Sequence, residues 1–182
     1  AYFLSLMGYG VTIIEALPYA GGMMRVGIPR YRLPISVLDR EISLIQDLGV
    51  VFRFNTRLGR NTTVKDLIQE GFESFYVATG AQKGLQMGIK GEADFPQVMD
   101  AVTYLHHACL DRAPSLGPRV AVVGGGNVAL DAARTALRLG CSDVHILYRR
   151  TRNEMPAPAE EISLAEQEGV RLSFLKIPVE VM

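Results

Sequence analysis

Short apolar runs alternate along this chain with longer stretches whose apolar residues recur three and four positions apart. The runs Val11 to Glu15, Val50 to Phe54, Phe75 to Ala78, Val120 to Val123, the one ending at Tyr148, and Val170 to Leu175 read as strands, with a last one over Pro178 to Met182. Between them the helical spacing recurs. Ala1, Leu4 and Ser5 are stopped by Gly8; Pro34 sits at N1 of a helix carrying Ile35, Leu38, Ile42, Ile45 and Leu48 and ending at Gly49. Thr63-Val64-Lys65-Asp66 has the spacing of a capping box, with Asp where Glu is usual, and opens a short helix through Ile68. Val98, Ala101, Val102, Leu105 and Cys109 form another, an Ala/Leu-rich helix follows Gly126, and Glu160-Glu161 open the last, with Ile162, Ala165 and Gly169. Strands alternating with helices predict an α/β fold with parallel sheets covered on both faces.

The alternation is also a repeat. Displaced by 132 positions, Gly8 falls on Gly140 and Leu4 on Ala136, and helix, glycine and strand follow in the same order. The second copy has a glycine turn ahead of its helix, so the matching turn of the first belongs just upstream of Ala1. The expected architecture is two Rossmann-like dinucleotide-binding domains, the first lacking its opening strand and glycine turn. Residues 82–97, with Gly84, Gly88, Gly91 and Pro96, place the boundary: 1–90 a partial nucleotide-binding domain, 91–118 linker and helix, 119–182 the more complete domain. The chain opens inside a helix without an initiator Met and closes in a strand, so both ends read as cuts.

Composition narrows the function. A chain of 182 residues with 48% hydrophobic content can bury a sizeable core. Nineteen basic and nineteen acidic side chains leave no global charge for nucleic acid, and no apolar stretch is long enough for a membrane span. Cys109 and Cys141 are isolated, as befits inert thiols in a reducing cytoplasm, and no metal-ligand spacing occurs. His106 and His107, adjacent on a helix, face different ways and are not expected to hold a metal.

Chemistry concentrates at Gly124-Gly125-Gly126-Asn127-Val128-Ala129, a GxGxxA fingerprint between a strand and a helix. Gly124 permits a tight turn, Gly126 leaves room for a pyrophosphate to approach the backbone, and small Ala129 lets helix and strand pack closely, presenting phosphates to the helix's free N–H groups. Twenty residues beyond Ala129, where an NAD site places a carboxylate, stand Arg149 and Arg150. Two guanidiniums there suit a 2′-phosphate, although by themselves, with Arg152 beside them, they would read as a solvated basic patch. The expected ligand is NADP(H). In the first half, Glu15 ends a strand where a dinucleotide fold places a ribose-binding carboxylate, though on position alone it is a solvated charge. The glycine- and methionine-rich loop from Ala20 to Pro34 is either an ordinary connection or a contact loop.

Gly21-Gly22-Met23-Met24-Arg25, Gly27-Ile28-Pro29, Arg32-Leu33-Pro34, Val77-Ala78-Thr79-Gly80-Ala81, the glycine turn, Tyr148-Arg149-Arg150 and Met155-Pro156-Ala157 occur in order along nearly the whole chain. Together they resemble the small (beta) subunit family of NADPH-dependent glutamate synthases, and the flavin and NADPH domains of dihydropyrimidine dehydrogenase and related electron carriers. The resemblance implies that domain 1–90 binds FAD, with Glu15 on the adenosine ribose, Gly22 and Met24 lining the flavin loop, and Arg32 and Leu33 near its phosphates and ribityl chain. Ala78, Thr79, Gly80 and Ala81 match the turn at which the chain leaves the flavin domain. Gly125, Gly126, Asn127 and Val128 match the NADPH pyrophosphate turn, and Arg149 and Arg150 the 2′-phosphate clamp.

It further implies hydride transfer from NADPH to FAD and electron transfer to iron–sulfur clusters, carried by a preceding segment or by a large partner subunit. Such transfer belongs to the cofactors, so no catalytic acid or base is assigned. Three alternatives stay open. A thioredoxin-reductase-type member of the pyridine nucleotide-disulfide group would need a C-x-x-C, and a short-chain dehydrogenase a Tyr-x-x-x-Lys; neither occurs. A non-catalytic NADP(H)-binding structural module would keep the turn without the flavin.

Overall fold

The structure, a computed structural model, describes residues 1–182. The chain divides into two compact units, residues 1–25 with 30–80, and residues 26–29 with 81–182.

The first unit contains α1 (Tyr2–Leu6), β1 (Thr12–Ile14), most of α2 (Gly22–Val26), α3 (Ile35–Asp47), β2 (Val51–Arg53) and α4 (Val64–Gln69). β1 and β2 pair in parallel, Ile13 opposite Phe52. Gly8, at φ 86°, turns the chain out of α1 as the sequence predicts. Pro34 stands one place earlier than expected, at the N-cap, where its carbonyl accepts from the amides of Val37 and Leu38. The Thr63 capping box forms with Asp in the N3 position. α2 lies inside the segment read as a loop.

Two expected strands do not form. Within residues 1–182 the segment 75–78 meets no ladder partner, and Tyr76 and Val77 are uncovered; β-propensity alone does not make a strand without a neighbour to bond. Residues 178–182 make only the single bridge between Glu180 and Lys90.

The second unit holds α5 (Ala101–Cys109), β3 (Arg119–Val123), α6 (Asn127–Arg138), β4 (Asp143–Tyr148), α7 (Ala159–Glu168) and β5 (Arg171–Phe174). Its sheet is parallel in the order β3-β4-β5, with Val123 opposite Leu147 and Tyr148 opposite Phe174. α6 lies on β3 and β4 and is flanked by α5 and α7. Leu105, Leu130, Ala133, Val144, Ile146 and Ile162 form the centre of the core.

Within residues 1–182 the helices of this unit gather about α6 on one face of the sheet. The strand residues facing away from α6 include Arg119, Asp143, His145 and Arg171, and Asp143 pairs with both His145 (2.9 Å) and Arg171 (3.3 Å).

Candidate functional site

β3 ends at Val123, and the chain reverses at Gly124, whose φ of 136° would strain any side chain. The Gly124 amide donates to the Leu147 carbonyl (3.0 Å), so the turn continues the β3–β4 ladder by one bond. A Cβ added at Gly124 would lie 3.5 Å from that of Ala129, an ordinary contact that a larger residue at 129 would crowd.

The middle glycine has a role that the sequence did not reveal. A Cβ at Gly125 would stand 2.7 Å from the ring of Tyr148. That ring is fixed in turn, since its hydroxyl donates to the Glu154 carbonyl (2.7 Å) and the Ala157 amide donates to the Gly125 carbonyl (3.3 Å). Met155 and Ala157 are buried beneath the turn. The Met155-Pro156-Ala157 segment therefore braces the glycine loop, and only packing across the fold could disclose this.

Gly126 is the N-cap of α6. No side chain caps the helix, and its first turn contains no acid, whereas α7 opens with Glu160 and Glu161. The twelve-residue helix thus presents uncapped N–H groups and the positive end of its dipole, with Val128 half exposed beside them.

Arg149 and Arg150 follow β4 directly and are both exposed. Because β3 and β4 are parallel and in register, the glycine turn and the arginines share the sheet's C-terminal edge. The bend after them is held by a second capping box, in which Glu154 accepts from the Thr151 amide (3.0 Å) and hydroxyl (2.8 Å). These bonds, with the charge of Arg150, hold the Glu154 carboxyl below its usual range. Arg152 does not enlarge the basic patch. Its guanidinium forks onto Glu166 through two bonds of 2.6 Å.

The first unit carries the remaining candidates apart from Ala81, which opens the last stretch of the second. Glu15, just past β1, accepts from the Leu17 amide (2.8 Å) through one carboxylate oxygen. Gly22, at φ 50°, opens α2, and exposed Met24 lies within it. Arg32 and Leu33 occupy the turn leading to α3. Ala78, Thr79, Gly80 and Ala81 lie in an exposed stretch without regular structure, Gly80 at φ 68°. A cleft of about 370 Å³ lies at the far edge of the three-stranded sheet, against Tyr104, Pro118 and Cys141 ahead of β3 and β4, and so is not part of this constellation.

A parallel unit with a glycine turn on an uncapped helix and a basic pair on the next strand has the geometry of a dinucleotide-binding βαβ unit. The model of the pyridine nucleotide-disulphide oxidoreductases matches residues 1–181. The chain belongs to that family. It is 51% identical over 180 residues to the NADP(+)-dependent formate dehydrogenase subunit beta of Moorella thermoacetica, covering 98% of this chain and 25% of that protein. It is 42% identical to the NADPH-Fe(3+) oxidoreductase subunit beta of Geobacter sulfurreducens, covering 100% and 28%. With the glutamate synthase [NADPH] small chain of Halomonas elongata it shares 33% identity, over 96% and 39%. The family resemblance read from the motifs therefore holds, and the chain spans about a quarter of the length of the first two relatives. A 2-naphthoyl-CoA reductase shares the fold, with a TM-score of 0.78 at 19% identity, over 100% of this chain and 27% of the other.

Proposed function

We propose that this chain is the central part of a flavoprotein oxidoreductase that takes a hydride from NADPH onto FAD and passes electrons to iron–sulfur centres of a partner, as a glutamate synthase small subunit would. The observation that carries the reading is the shared edge: an uncapped helix terminus behind a glycine turn, with two exposed guanidiniums on the adjoining strand. Residues 119–182 are the NADP(H) domain, 91–118 its leading linker and helix, and 1–90 the partial FAD domain.

The chain's own groups divide the work. Gly124, Gly125 and Gly126, with the amides of Asn127 and Val128 and the close packing of Ala129, receive the pyrophosphate, and Arg149 and Arg150 clamp the 2′-phosphate. In the first unit Glu15 keeps one oxygen for ribose hydroxyls while the other fixes its orientation on Leu17. Gly22, Met24, Arg32, Leu33 and the stretch Ala78 to Ala81 line the flavin. Bound together, the two cofactors supply the hydride transfer, and the protein's task is to hold their rings and keep water away.

The names of the beta-subunit relatives support a large partner subunit as electron acceptor. Anaerobic addition of NADPH to the purified full-length protein is expected to bleach the flavin absorbance within the turnover time. A flavin that stays oxidised would sink the proposal.

A further inference from the structure

Leu175 closes β5 in the left-handed region, at φ 55°. A residue with a Cβ enters that region only against steric strain, and glycine or asparagine usually takes such positions. The leucine is also 71% exposed, so no core packing within residues 1–182 repays the strain. Two hydrogen bonds hold the turn in place: the Leu175 amide donates to the Arg150 carbonyl (3.3 Å) and the Lys176 amide to the Tyr148 carbonyl (3.1 Å). The end of β5 is thereby tied to the arginine bend. Strain kept at an exposed apolar residue beside a candidate site points to use of the side chain.

Position supplies that use. Neighbouring strands lie roughly 4.8 Å apart, so the ends of β3, β4 and β5 are successive steps along one edge. A dinucleotide with its pyrophosphate on the β3 turn and its 2′-phosphate on the arginines after β4 carries its base at the adjoining C1′, on toward β5. A purine there needs an apolar surface for its flat face. Leu175 is the first exposed apolar side chain past β5, ahead of Ile177 and Val179.

We infer that Leu175 positions the adenine of the nucleotide, its left-handed backbone setting the side chain against one face of the base. This rests on the NADP(H) reading above. Neither phosphate contact passes through Leu175, so it contributes to affinity for every adenine nucleotide and not to the choice between NADPH and NADH.

The test is calorimetric titration of the full-length protein, as wild type, Leu175→Gly and Leu175→Met, with 2′,5′-ADP, NADPH and NADH, alongside thermal melting. Glycine relieves the strain and removes the side chain. The expected result is an unchanged or higher melting temperature, about tenfold weaker 2′,5′-ADP binding, an unaltered NADPH-to-NADH ratio, and near wild-type affinity in Leu175→Met. Wild-type affinity in Leu175→Gly overturns the inference alone. So does a loss of affinity that comes with a lower melting temperature, or one that Met does not restore. Failure of the wild type to bind 2′,5′-ADP overturns the nucleotide reading and this inference together.

Discussion

The ring of Tyr148 fills the space that a side chain at Gly125 would take, 2.7 Å from the position of its Cβ. The middle glycine of the turn is thus required by the protein's own aromatic, before any ligand is considered. Gly125→Ala is expected to lower stability by about 1–3 kcal/mol, the usual cost of forcing extra volume into a packed site. The cost should shrink in a Tyr148→Ala background, and urea unfolding of the two single variants and the double variant measures the coupling.

Arg149 and Arg150 should decide between the two pyridine nucleotides. Replacing either by Ala removes a charge-assisted contact worth about 1.5–3 kcal/mol, so NADPH binding is expected to weaken roughly tenfold to a hundredfold while NADH binding stays nearly constant. Parallel titrations with both nucleotides check this.

Arg134 is buried in α6 between Glu161 (2.8 Å) and Glu168 (2.7 Å), and Arg138 adds a second guanidinium to Glu168. Burial alone would raise the Glu168 carboxyl, but the two arginines outweigh it and hold it below its usual range. A lowered folded-state value means stability that is present above the unfolded carboxylate pKa and lost as pH falls through the folded one. Glu168→Gln should cost about 2 kcal/mol near neutral pH, less than a wholly isolated buried charge because Glu161 remains. It should also flatten the acid limb of the stability profile, as denaturant midpoints from about pH 6 to pH 3 would record.

Tyr104 gives the opposite dependence. Its buried hydroxyl has no hydrogen-bond partner, and burial first, then the charge of nearby Cys141, pushes its pKa up to about 12 from 10.0. The unfolded chain releases this proton first, so the stability it protects is complete below about pH 10 and drains away as pH climbs toward 12. Tyr104→Phe is expected to gain about 1 kcal/mol, since an unsatisfied polar atom disappears, and to lose less stability in alkali. Melting temperatures at neutral pH and at about pH 10.5 test both parts.

Features governed by local chemistry were legible in the sequence. The Thr63–Asp66 box was readable from spacing because both of its bonds lie within one turn: the Thr63 hydroxyl accepts from the Asp66 amide (3.2 Å), and the Asp66 carboxylate accepts from the Thr63 amide (2.9 Å). The common edge of the glycine turn and the arginines follows from parallel βαβ geometry, which the strand–glycine–helix order already implied. What depended on distant partners was not. Gly125 needs Tyr148, the strand at 75–78 needs a neighbour that residues 1–182 do not supply, and Arg152 looked like part of a cationic surface until Glu166 came to meet it from α7. Short helix α2 escaped because Gly21 and Gly22 disfavour helix, and Leu175 was read as the last residue of a strand although its backbone turns left-handed.

The fork between Arg152 and Glu166 also sets an arithmetic for the edge. With Arg152 committed to Glu166, the arginines left after β4 are Arg149 and Arg150, and the Glu154 carboxylate stands in the field of Arg150. On the proposed reading, an incoming phosphate ester would draw on Arg149 and Arg150 while Arg152 stays with its own carboxylate, so the grip on the ester is set by two side chains and not three.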